Sequence, residues 1–69
     1  MWALAAVHFQ RATASAPGIV AYHLALATAY AHLNRFERAR SVLRGAERIE
    51  PENPQVRELA DLVRQLEAK

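Results

Sequence analysis

The chain has 69 residues, no cysteine and a formal net charge of +2. That length allows one small domain, which hides only ~60% of the surface its unfolded form exposes, and the missing thiols exclude a disulfide framework or a thiolate zinc site. Alanine fills 15 positions against 2 glycines and 3 prolines, which favours helix over sheet, and so small a charge says little about nucleic acid even though eight of the nine basic residues are arginine.

The first predicted helix lies near 2–15, where Trp2, Ala5, Phe9 and Ala12 fall on one face. The start has no basic region before its apolar run, and His8, Gln10 and Arg11 break that run, so it is not read as a signal peptide. Pro17-Gly18 is a turn signal. The second helix is expected near 20–33, with Leu26, Tyr30 and Leu33 at helical spacing and no breaker inside. Asn34-Arg35 is a short connection, so the third helix, near 35–49, should run antiparallel to the second. Phe36, Ala39, Leu43 and Ala46 form its apolar face, and Pro51 closes the segment.

Asn53 is a good N-cap and Pro54 a good first residue for a fourth helix near 54–67. Val56, Leu59, Ala60, Val63 and Leu66 make its apolar stripe. Arg57, Glu58, Asp61, Arg64 and Gln65 make its polar face, with Arg57 and Asp61 spaced for an i,i+4 pair. No stretch approaches the ~18–20 apolar residues of a membrane-spanning helix. The chain therefore reads as soluble, or as a soluble portion, with no membrane partner.

A shift of 34 residues lays Trp2 on Phe36, Ala5 on Ala39, Phe9 on Leu43, Ala12 on Ala46 and Pro17 on Pro51. The last helix fits better at a shift of 33, which pairs Leu26 with Leu59, Ala27 with Ala60 and Leu33 with Leu66. These residues resemble the tetratricopeptide repeat, a 34-residue helix–turn–helix unit. Leu26, Ala27 and Tyr30 take its first-helix positions, and Phe36, Ala39, Leu43 and Ala46 its second-helix positions. His23 stands where that family often has tryptophan, and Asn34 replaces its turn glycine.

The resemblance implies an all-α fold of antiparallel helix–turn–helix repeats stacked as a short right-handed solenoid. Residues 1–19 would be the second helix of a partial repeat, 20–53 a complete repeat and 54–69 a closing, capping helix. It also implies protein–protein interaction, with another protein or a peptide as partner. The implied partner groove, on the first helix of the complete repeat, is Ala21, Leu24, Ala25, Thr28, Ala31 and His32. Family members that clamp a carboxylate carry Asn and Lys in that groove, whereas Leu24, Ala25 and Thr28 stand here. An apolar side chain or a helix suits this groove better than a chaperone C-terminus.

Catalytic and metal-binding patterns are absent from the sequence. His23 and His32 are nine residues apart, on opposite sides of one helix, and with His8 they show no ligand spacing. Thr13, Ser15, Thr28 and Ser41 lack a base-plus-carboxylate arrangement, and only Gly18 and Gly45 could serve a phosphate loop. The chain is read as no enzyme, with no cofactor and no metal. Arg40, Arg44 and Arg48 stand four apart with Arg38 nearby, but Glu37, Glu47 and Glu50 interleave and no aromatic residue alternates with them. They read as a solvated face, not as a nucleic-acid stripe.

An alternative reading is a structural C-terminal cap, or a self-association module, of a longer solenoid protein, with no ligand groove of its own. On that reading Trp2, Ala5 and Phe9 stay partly exposed and form the self-association face of a homo-oligomer. A cytoplasmic location is favoured.

Overall fold

The apolar periodicities condense into four helices, α1 (Trp2–Ser15), α2 (Val20–His32), α3 (Phe36–Ile49) and α4 (Pro54–Glu67), in a computed structural model that describes residues 1–69. Each agrees with its sequence expectation to within one residue. The differences fall at one place: α2 stops at His32 and α3 starts at Phe36, because the reversal takes Leu33, Asn34 and Arg35.

That reversal is fixed by backbone geometry. Asn34 sits in the left-handed region at φ 59°, the residue type after glycine that tolerates it best. The Arg35 amide donates to the Tyr30 carbonyl at 2.8 Å, and the Asn34 amide donates to the Ala31 carbonyl at 3.1 Å. This bond pair satisfies two of the carbonyls that a helix end leaves free and turns the chain back on itself.

The other two connections use side chains. Nε2 of His23 lies 2.8 Å from the Pro17 carbonyl. A carbonyl only accepts, so Nε2 donates, and the imidazole ties the Pro17-Gly18 turn to α2, whose start has no side-chain cap. At the head of α4, Oδ1 of Asn53 accepts from the Gln55 amide at 2.8 Å, and its Nδ2 donates to Glu50 at 2.8 Å. With Pro54 at the first turn, this cap defines where α4 begins.

α2 is the centre of the packing. It touches α1, α3 and α4, while α3 touches α2 and α4 and α1 touches only α2. The result is a slab of 33 × 29 × 14 Å. Half of its twelve core residues are alanines (Ala6, Ala27, Ala29, Ala31, Ala39 and Ala46), so the helices meet at close backbone approach instead of through large interlocking side chains. Val63 is the largest side chain that is fully buried.

Repeat-related positions differ in burial according to their neighbours. Ala39, Leu43 and Ala46 of α3 are buried between α2 and α4. Their counterparts Ala5, Phe9 and Ala12 of α1 are only half-buried, since α1 has α2 alone.

Two ion pairs form. Arg40 of α3 pairs with Glu67 at the end of α4. Asp61 pairs with Arg64 at 3.6 Å, in place of the i,i+4 pair with Arg57 expected from the spacing. Both pairs are exposed, and such pairs contribute little to stability.

Candidate functional site

The exposed side of α2 carries the expected groove positions in unequal states. Ala21 and His32 are exposed, and Leu24, Ala25 and Thr28 are half-buried. The Thr28 hydroxyl donates back to the Leu24 carbonyl at 2.8 Å, which leaves it no free hydrogen to offer a ligand. Ala31 is buried in the core and is not available to line a groove. His32 is partly covered by Trp2, whose ring lies parallel to it at a centroid distance of 3.8 Å and an interplanar angle of 5°.

Four of the seven exposed large hydrophobic residues, Met1, Trp2, Leu4 and Val7, lie in or at the start of α1. Ala6 is buried, and Ala5 and Phe9 are half-buried against the core. Trp2 keeps 43% of its surface in solvent despite the stack on His32. Beyond these, Met1, Leu4 and Val7 are exposed, Leu4 at 66% and Val7 at 46%. Met1, Leu4 and Val7 join Ala5, Phe9, His8 and Arg11 around a shallow groove of about 430 Å³ on the outer side of the helix.

Of the arginines singled out by spacing, only Arg40 and Arg44 are brought together at a concave surface. They face Arg64 of α4 across a groove of about 230 Å³ over Leu43, Val56 and Ala60. Arg38 and Arg48 lie outside it. His8, His23 and His32 stay apart in function: His8 meets the Phe9 ring edge-on, His23 bonds Pro17, and His32 stacks on Trp2. No group of three or more His, Asp or Glu side chains comes within reach of one metal ion. No helix is long and apolar enough to cross a membrane.

A family model described as the tetratricopeptide repeat matches residues 1–65. The chain belongs to the tetratricopeptide repeat family. Its helices are the repeated antiparallel units of that solenoid, and tetratricopeptide repeats serve in general as protein–protein interaction modules. No curated protein and no solved structure matches the chain.

Within this tetratricopeptide fold, the departures from the usual pattern are explained locally. His23 fills the early first-helix position with a ring small enough to reach Pro17. Gly45 lies across from it on α3, where a Cβ would stand 3.6 Å from the imidazole. Leu4 and Val7 were missed by the periodicity, which selects the Trp2, Ala5, Phe9, Ala12 face. A signal was there to read: eight of the first nine residues are apolar, a stripe too wide for one neighbouring helix to cover.

Proposed function

We propose that the chain is an adaptor segment that joins protein chains by helix-on-helix packing, and that a second copy docks on the outer face of α1. The observation that carries this reading is the unequal burial of repeat-related residues. Ala39 and Leu43 are sealed from solvent by two neighbouring helices, whereas Ala5 and Phe9 have one neighbour and lie beside exposed Leu4 and Val7. Arg11 is the only formally charged side chain on the groove, so the face is apolar enough to meet its own copy across a two-fold axis. The half-covered Trp2, Ala5 and Phe9 form the inner edge of this surface, and Met1, Leu4 and Val7 form its centre.

A second reading is a structural cap without a ligand groove. It is favoured by the α2 side, where Ala31 is buried and Trp2 covers part of His32. That leaves Ala21, Leu24, Ala25 and Thr28 as a strip too short to form a groove of its own.

Sedimentation equilibrium of the wild type beside Leu4→Glu/Val7→Glu separates the two. Both positions are exposed, so the variant keeps the wild-type helix content by circular dichroism. Association in the wild type and its loss in the variant support docking on α1. A wild type that stays monomeric at every concentration reached leaves the cap.

A further inference from the structure

The internal repeat relates the two ends of the slab to one another. At a shift of 34, the α1 groove residues Ala5, His8, Phe9 and Arg11 correspond to Ala39, Val42, Leu43 and Gly45 of α3. On α3 these positions are covered. Ala39 and Leu43 are buried, Val42 is half-buried, and Gly45 faces the His23 ring of α2, 3.6 Å from where its Cβ would stand. The α1 groove therefore lies where, in the complete repeat, a first helix packs.

The α4 end shows the converse. At a shift of 33, Leu59, Ala60 and Leu62 correspond to Leu26, Ala27 and Ala29 of α2. All three are buried in α2, which packs on α1, α3 and α4. In α4, which packs on α2 and α3, Leu59 and Ala60 are half-buried and Leu62 is 47% exposed. Among the four helices, none stands to α4 as α3 stands to α2, and none stands to α1 as α2 stands to α3. Each end thus carries the helix type that the other end is without.

We propose that copies of the chain associate head to tail, with α4 of one copy seated in the α1 groove of the next. The two helices then complete one repeat across the junction. This rests on the reading that a second copy docks on α1, and it names the surface which that copy brings. A two-fold meeting of α1 with α1, which the apolar face permits, joins two helices of one type and leaves Leu62 in solvent. The head-to-tail junction instead continues the pairing of first and second helices that already holds α2 to α3. Such a contact does not close on itself, so it builds open chains of copies.

Charge does not oppose the junction. Arg11 is the one formal charge of α1, and Arg57 and Glu58, the charges of α4 outside its ion pairs, cancel. Arg11 stands where α3 has Gly45, but it is exposed and its flexible stem is free to turn to solvent.

The test is sedimentation velocity of the full chain with two blocked variants, alone and mixed. His8→Glu/Arg11→Glu blocks the α1 groove and leaves α4 intact. Ala60→Glu/Leu62→Glu blocks α4 and leaves α1 intact. Leu62→Glu, a single exposed position, repeats the second block where Ala60→Glu costs helix content by circular dichroism.

The wild type should grow past a dimer with concentration, and each variant alone should stay at 7.7 kDa. An equal mixture of the two should give a species of two chains and nothing larger, because each variant supplies the end that the other has lost. An α4 variant that still dimerises by itself overturns the proposal and leaves two-fold docking through α1 standing. A mixture that stays monomeric overturns it as well. An α1 variant that associates like the wild type, or a wild type monomeric at every concentration, overturns both this junction and docking on α1.

Discussion

Trp2 and His32 lie face to face at 3.8 Å and 5°, joining the first turn of α1 to the last turn of α2. α1 has no other helix to pack on, so this stack and the half-buried Ala5 and Phe9 hold its N-terminal half in place. A double-mutant cycle with Trp2→Ala and His32→Ala should give a coupling of ~0.5–1.5 kcal/mol in urea denaturation. Strict additivity of the two losses would mean that the rings do not support one another.

Gly45 offers a stabilising substitution. A Cβ there meets Cε1 and Nδ1 of His23 at 3.6 Å, an ordinary contact, so Gly45→Ala adds helix propensity without moving the imidazole from Pro17. The gain should be ~0.8–1 kcal/mol, with the melting temperature raised by several degrees in a domain of this size. Gly45→Leu should lower it instead, since the longer side chain displaces His23 from its bond. A lower melting temperature for Gly45→Ala would show that α3 and the ring are closer than the fold allows.

Asn34 tests the reversal between α2 and α3. Its left-handed φ of 59° suits glycine as well as asparagine and suits a β-branched residue badly. Asn34→Gly should leave stability within a few tenths of a kcal/mol. Asn34→Val should lose ~1–2 kcal/mol. Thermal melts of the two variants beside the wild type decide the point, and indistinguishable curves would remove the strained turn.

Small residues set the spacing of α3, so overpacking them should be costly. Ala39→Leu and Ala46→Leu should each lose ~1–3 kcal/mol, and Ala68→Leu, at an exposed position, should change stability by less than ~0.5 kcal/mol. Their counterparts Ala5→Leu and Ala12→Leu should fall between, because half-buried sites can yield toward solvent. Chemical denaturation of the five variants gives the order. Equal losses at Ala5 and Ala39 would contradict the one-sided packing of α1.

The side chain of Asn53 caps α4 through the Gln55 amide, and Asn53→Ala should lose ~1 kcal/mol. Asn53→Asp keeps the accepting oxygen but sets a carboxylate beside Glu50, where the asparagine amide now donates. Its loss should be smaller than that of alanine at neutral pH and should shrink further in high salt, where like charges are screened. Fraying at the α4 start, followed by amide exchange of Gln55, measures it.

Helix positions, the cap at Asn53, the left-handed role of Asn34 and the repeat spacing of small and large residues were all legible in the sequence. Each depends on neighbours within a few residues, or on a periodicity that a helix imposes on its own side chains. Other features depended on which helices lie side by side. The spacing of Arg57 and Asp61 permitted a pair, yet Arg64 is the nearer cation, and Arg40 reaches Glu67 instead of the glutamates interleaved with it. Ala31 belongs to the core and not to a groove, while Leu4 and Val7, off the strongest apolar stripe, stay in solvent together with Trp2, which is on it. The arginine groove exists only because α4 returns beside α3. Local sequence determined where the helices form and which face of each is apolar; only the tertiary arrangement, by giving α3 two neighbours and α1 one, decided which apolar residues are sealed and which remain exposed.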